Sequence, residues 1–254
     1  MCVHRSALAA FRVFALLFVP FLLAGCMSSG GMLQQPVKKG PDPFYVAMYG
    51  PLPNEQFPMP ATDITNVDPQ FLRQQVRYDT YERPGTIVVD TEARFLYLVQ
   101  ENGMAMRYGI GVGKAGLEFE GKARIARKAH WPRWTPTQSM IEREPERNAQ
   151  WANGMEPGLT NPLGPRALYL FQGNRDTLYR IHGTSEPWSI GKAVSSGCIR
   201  LFNQDIVDLY DRVPVDSEVV VLQNGQPLPQ PQQDNFEQAP MVSDSSVLRP
   251  QANI

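Results

Sequence analysis

Between residues 84 and 222 the apolar positions fall in short runs with the spacing of strands. Thr86-Ile87-Val88-Val89 and Phe95-Leu96-Tyr97-Leu98-Val99 flank Asp90-Thr91-Glu92-Ala93-Arg94, which predicts a hairpin. Arg107 to Gly113 continues it, with glycines of the kind that make bends and bulges. Further strands are expected over 124–128, 167–171, 177–181 and 218–222. Helical periodicity is sparse. One helix is predicted around Ser139 to Arg147, and another starts at Asn203 as N-cap, with Ile206, Leu209 and Tyr210 on one face. A weaker one covers Pro69 to Val76. Many short strands and few helices give a mainly β fold, mostly antiparallel, of sandwich or barrel kind.

The pattern fails at both ends. From Met27 to Asp63 the chain passes Pro36, Pro41, Pro43, Pro51, Pro53, Pro58 and Pro60, and neither period survives them, so a flexible tether is expected. From Gln223 to Ile254 there are 7 Gln and 5 Pro among few large apolar groups. Burial there is too small to offset ordering entropy, so this is read as a disordered tail or a partner-binding segment. At the start, His4, Arg5 and Arg12 precede an apolar core from Val13 to Leu23, too short to span a membrane and typical of an export signal. Leu23-Ala24-Gly25-Cys26 then resembles the lipobox of bacterial lipoproteins, which implies cleavage before Cys26 and acylation of its thiol. The alternative is an ordinary signal peptide cut nearby. The expected organisation is a signal peptide over 1–25, a lipidated tether over 26–63, one domain over 64–222 and a tail over 223–254.

Composition narrows the class. With 254 residues, 43% hydrophobic and Lys+Arg 24 against Asp+Glu 25, the chain is neither collagen-like, coiled-coil nor wholly disordered. A formal net charge of -1 supplies no cationic surface for nucleic acid, and no such partner is expected. Removal of residues 1–25 takes Cys2 away and acylation occupies Cys26, leaving Cys198 and no internal disulfide. Only two histidines then remain, His130 and His182.

Gly109-Ile110-Gly111-Val112-Gly113 lacks the following helix and acidic residue of a dinucleotide site, and no Cys/His spacing points to a metal, so no cofactor is expected. Trp131, Trp134, Trp151 and Trp188 are read equally as groove-lining or as core. His130 is expected to be structural or at the surface, and Asp205 and Asp208 to be helix-face charges.

The chemistry concentrates in Ile181-His182-Gly183-Thr184 and, shortly after, Ser195-Ser196-Gly197-Cys198-Ile199-Arg200-Leu201. A thiol is only a few per cent thiolate at neutral pH, so acyl transfer needs a base, and His182 is the better placed of the two candidates. Gly197 allows a sharp turn that presents Cys198, and the backbone N-H groups of Ser196, Gly197 and Cys198 are candidates for an oxyanion site. Alternation sends Ile199 and Leu201 inward and Arg200 to the opposite face, towards a substrate carboxylate or into an ion pair. Taken singly, a lone cysteine is as readily a small buried hydrophobe.

At these residues the sequence resembles the L,D-transpeptidase (YkuD-type) family of bacterial cell-wall enzymes. The match lies in His182-Gly183 and Ser195-Ser196-Gly197-Cys198-Ile199-Arg200, and extends from roughly Ile64 to Leu222, including Pro84-Gly85-Thr86-Ile87-Val88-Val89-Asp90. The resemblance implies a curved mixed sheet, near a barrel, with a few short helices. It implies that Cys198 attacks the diaminopimelate carbonyl of a peptidoglycan tetrapeptide stem, releases D-alanine and holds the acyl group as a thioester. His182 is base and then acid, oriented by the backbone carbonyl of Gly183, while Ser195 and Arg200 contact substrate. The acceptor is an amine of another stem, giving a 3-3 cross-link, or of an outer-membrane protein, giving a wall anchor. Carbapenem β-lactams are expected to acylate Cys198. Some members carry histidine two residues before the nucleophile, where this chain has Ser196. The expected place is the periplasm, as a lipoprotein held to a membrane through Cys26. The rival readings are a hydrolase with the same acyl-enzyme, acting as endopeptidase or carboxypeptidase, and a non-catalytic wall-binding lipoprotein.

Overall fold

The computed structural model describes residues 40–113, 119–195 and 198–222. The early strands are β1 (Gln74–Arg77), β2 (Ile87–Asp90), β3 (Phe95–Val99), β4 (Met104–Gly109) and β5 (Gly111–Gly113). They are followed by β6 (Gly121–His130), β7 (Arg166–Gln172), β8 (Arg175–His182), β9 (Ala193–Ser195), β10 (Ile199–Arg200) and β11 (Glu218–Leu222). Among the described residues all of them join one 11-stranded sheet in the order β1-β4-β3-β2-β11-β6-β7-β8-β10-β5-β9. The sheet is mixed: β2 with β11, β8 with β10 and β5 with β9 run parallel, and the other neighbours antiparallel. A mainly β fold is therefore what the spacing of the apolar runs produces. The parallel pairs join strands far apart in sequence, which local alternation does not encode.

The hairpin of β2 and β3 turns where Asp90 Oδ1 accepts the Ala93 N-H at 2.8 Å and Arg94 adopts a positive φ. Both faces of β2 are covered. Ile87 and Val89 enter the main core with Leu168, Leu170, Ile181 and Ile199, while Val88 faces a second cluster with Tyr78, Val99 and Ala105. The longest helix among the described residues, α4 (Asn203–Arg212), drops Ile206 and Leu209 into the main core. At about 1.5–3 kcal/mol for each fully buried aliphatic, this face fixes the helix beside β7.

The shorter helices depart from expectation in instructive ways. The helix predicted around Ser139 to Arg147 is two pieces, α2 (Gln138–Arg143) and α3 (Pro145–Asn148), because Pro145 lacks an N-H to continue the ladder. Pro69 to Val76 is a 3-10 turn, Pro69–Phe71, running into β1. Asn203 begins α4 but is not its cap, since Phe202 holds that position without a side-chain cap bond.

The segment expected to be a tether up to Asp63 is folded from Gly40 onward. A short helix, α1 (Pro43–Met48), starts with Asp42 Oδ1 accepting the Phe44 N-H, and proline is well accommodated at its first position. Tyr49 is fully buried with Ile64, Leu72, Ile190 and Phe202, and Leu52 bridges Met59. Glu55 receives a bidentate Arg166 guanidinium at 2.7 and 2.8 Å and the Trp131 indole N-H at 3.0 Å. Proline removes periodicity without removing the capacity of Tyr49, Met59 and Glu55 to be buried or paired. The remaining tether residues, Cys26 with its lipobox and the tail from Gln223 lie outside the described residues.

Asp205 and Asp208 also differ from the helix-face charges expected. Asp205 is fully buried and accepts the Tyr49 hydroxyl at 2.9 Å. Asp208 accepts the Tyr108 hydroxyl at 2.7 Å and pairs with Arg73 at 2.9 Å and with Arg212.

Candidate active site

Strands β8 and β10 lie parallel with Ile199 opposite Ile181 and Arg200 opposite His182. Side chains alternate across a strand, so one register decides both faces. Ile181 and Ile199 go into the core, and His182, Cys198 and Arg200 go to the other side. The end of the pair is stitched by the Leu201 N-H donating to the His182 carbonyl at 2.9 Å. His182 and Cys198 line one cavity of about 210 Å³, walled also by Trp134, Met140, Trp151, Met155 and Arg200.

His182 is buried, with its Nδ1 2.5 Å from the Gly183 carbonyl oxygen. A carbonyl only accepts, so Nδ1 carries the proton and the neutral ring keeps its lone pair on Nε2. Burial pushes the imidazole pKa down to about 3, and the Arg200 and Arg180 charges act in the same direction. The Gly183 and Pro162 carbonyls oppose them. Burial likewise raises the Cys198 thiol above its ordinary value, against a hydrogen bond from the Arg180 backbone and the charges of Arg180 and Arg200. Burial thus favours the uncharged form of both the thiol and the imidazole.

The L,D-transpeptidase catalytic domain model, YkuD, matches residues 84–221, more than half of the chain. The chain belongs to this family. It is 34% identical over 151 residues to the probable L,D-transpeptidase ErfK/SrfK of Escherichia coli K12, covering 59% of this chain and 47% of that one. The Salmonella typhimurium protein of the same name is 36% identical over 167 residues, covering 65% and 51%. The chain thus spans about half the length of these curated relatives. A crystal structure described as a probable carnitine operon oxidoreductase from Brucella melitensis is 56% identical, covering 63% of this chain and 99% of its own, at a TM-score of 0.44. A superposition that loose carries no argument about chemistry.

Within this L,D-transpeptidase domain the cavity wall is assembled from both sides. Arg200 Nη1 pairs with Glu186 at 2.7 Å, and Arg147, from α3, reaches the other oxygen of Glu186 at 3.1 Å. Of the two roles the sequence left open for Arg200, the structure shows the ion pair, on a side chain that also lines the cavity. Asn148 Nδ2 donates to the Met140 carbonyl at 2.8 Å and ties α3 to α2, which brings Met140, Glu144 and Arg147 to the cavity. Of the tryptophans, Trp134 and Trp151 line it, Trp131 is buried against Glu55, and Trp188 is mostly exposed. His130 lies elsewhere, edge-on to Tyr210.

The backbone of Ser195 ends β9, opposite Gly113. The substrate contact expected of its side chain, and the oxyanion roles of Ser196 and Gly197, lie outside the described residues. Glu186, Arg147 and Asn203 border the site without having been singled out for it. Glu186 follows His182 by only four positions, which was the available hint. Arg147 sits among alternating charges and offers none.

Proposed function

We propose that this protein is a cysteine-dependent L,D-transpeptidase acting on peptidoglycan stem peptides. The observation that carries the reading is the shared cavity of Cys198 and His182, with His182 Nδ1 engaged by Gly183 so that Nε2 is left as the base. The Cys198 sulfur attacks the carbonyl carbon of the third residue of a tetrapeptide stem, diaminopimelate, while the thiol proton passes to Nε2. The tetrahedral intermediate collapses, the C-N bond to D-alanine breaks, and Nε2 returns the proton to the departing amine. A thioester on Cys198 remains. An acceptor amine attacks it, gives a proton to Nε2, and the thiolate leaves and is reprotonated. An amine on another stem yields a 3-3 cross-link, and one on an outer-membrane protein an anchor. Arg200 supports the substrate carboxylate side of the cavity, and Ser196 and Gly197 are the proposed oxyanion donors. Lipidation at Cys26 places the domain in the periplasm at a membrane surface.

The test is mass spectrometry of a purified disaccharide-tetrapeptide incubated with the protein and with its Cys198→Ala variant. Dimers joined through two diaminopimelates, absent with the variant, are expected. D-Alanine release without dimers transfers the reading to a hydrolase. Unchanged substrate, with no carbapenem adduct on Cys198, transfers it to a wall-binding module, and an active Cys198→Ala protein overturns the mechanism.

A further inference from the structure

The carbonyl that orients His182 belongs to a peptide unit held from its other end. Gly183 C=O and Thr184 N-H are the two ends of one planar amide. The carbonyl oxygen meets His182 Nδ1, and the N-H donates to Asn203 Oδ1 at 2.9 Å. Because the amide is rigid and trans, fixing the direction of the N-H fixes the opposed direction of the C=O. A hydrogen bond accepted from the N-H also polarises the carbonyl and strengthens its own bond to the ring. Thr184 is buried, so without Asn203 its N-H would lose its acceptor away from solvent. Rotation of the amide would then be the cheapest way to find another partner.

The surroundings are shaped around this contact. A Cβ on Gly183 would collide with Asn203 Oδ1 and come within 2.8 Å of Pro165 Cδ. Gly164, at φ +63, packs so closely behind the same amide that its Cβ would lie 2.6 Å from Asn203 Oδ1 and 3.0 Å from Gly183 Cα. Two glycines thus let the loop seat on a single side-chain oxygen. Asparagine at a helix start ordinarily caps its own helix. Here it is the first residue of α4, no side chain caps that helix, and the Asn203 amide serves the loop after β8 instead. Since α4 is anchored in the core by Ile206 and Leu209, its first residue is a firm reference point for the loop.

We propose that Asn203 is a positioning residue for the catalytic base, setting the tautomer and orientation of His182 through the Gly183–Thr184 peptide. The inference rests on His182 being the base, as read above. It predicts a loss in the chemical step with little loss in binding, because Asn203 holds the base and not the substrate.

The experiment compares wild type, Asn203→Ala and Asn203→Asp by nitrogen-15 NMR of the His182 ring and by steady-state kinetics on the tetrapeptide. Wild type is expected to show a single neutral tautomer protonated at Nδ1. Asn203→Ala should mix the tautomers and lower kcat by about 10²-fold with KM within about threefold, the scale on which small misplacements act. Asn203→Asp keeps an acceptor oxygen and should restore both the Nδ1-H signal and most of kcat. Should Asn203→Ala fail to fold, Asn203→Gln, which shifts the acceptor by one methylene, takes its place with the same expected signs. A variant lacking the acceptor that keeps the wild-type tautomer and kcat overturns the proposal, as does a wild-type ring protonated at Nε2. A wild-type protein with the Nδ1-H tautomer but no turnover counts against the function reading alone, because the ring signal still reports whether Asn203 sets it.

Discussion

Asp205 Oδ2 accepts the Tyr49 hydroxyl at 2.9 Å across 156 residues of sequence, and neither side chain is exposed. That hydroxyl in turn accepts the Arg73 N-H at 2.7 Å. The neighbouring Gln204 amide donates to the Tyr49, Gly50 and Pro60 carbonyls. The N-terminal segment is thereby fastened to the helix that follows the Cys198 strand.

Burial raises the Asp205 pKa to about 7, partly offset by Arg73 and by the Tyr49 hydroxyl. The folded state then holds a proton that the unfolded chain, near the ordinary aspartate value, gives up. The contribution of this group to stability is fully present below the unfolded pKa and is lost as pH rises from about 4 towards 7. Asp205→Asn should remove that dependence. The difference in Tm between wild type and variant, followed from pH 4 to 8, is expected to move against wild type up to about pH 7 and then level off. A constant difference over that range would contradict it.

The uncharged resting pair has a kinetic signature. With the thiol raised and the imidazole lowered to about 3, Cys198 is not held as a thiolate against a protonated His182 at neutral pH. Iodoacetamide alkylation of Cys198, timed by mass spectrometry, should therefore keep accelerating beyond pH 9. A plateau between pH 5 and 8 would mean a preformed ion pair.

Arg200 and Arg147 share Glu186 unequally. The Arg200 side chain is 12% exposed and that of Arg147 59%, so the first pair is shielded and the second is screened by solvent. Arg200→Ala should cost about 2 kcal/mol by leaving Glu186 half-buried without its nearer cation, and Arg147→Ala less than about 1 kcal/mol. Urea titrations of the two variants decide the ordering, and equal losses would refute it.

Glu55 ties the proline-rich segment to Arg166, whose side chain is 6% exposed. Glu55→Ala leaves that guanidinium buried without an anion, a loss of about 3 kcal/mol. The Glu55 carboxyl is held below its ordinary value, by hydrogen bonds from Arg166 first and Trp131 next, with burial acting against them. Its contribution is present above the unfolded pKa and is lost as pH falls through the lower folded value. The gap in Tm between wild type and Glu55→Ala should accordingly narrow below about pH 4, read by circular dichroism. A gap that widens there would reverse the assignment.

The strands were legible because alternation and β-branched runs such as Ile87-Val88-Val89 and Val219-Val220-Val221 report burial one residue at a time. The residues of the site were legible for a chemical reason. A thiol in Ser-Ser-Gly-Cys, with His182-Gly183 upstream, points to few chemistries. The folded segment from Gly40 to Asp63 was hidden, since its contacts are made by isolated residues between prolines with partners a hundred or more positions away. Glu55 with Arg166 and Tyr49 with Asp205 leave no periodic trace.

What the sequence determined by itself is the set of short strands, the candidate pair Cys198 and His182, and the family to which their spacing belongs. Each is written in neighbouring residues. What only the tertiary structure decided is how strands distant in the chain pair. The parallel register of Ile199 with Ile181 sets Cys198, His182 and Arg200 on the same side, and the packing of α4 brings Asn203 to the Thr184 amide. These relations depend on which surfaces bury one another, and burial is a property of the whole chain.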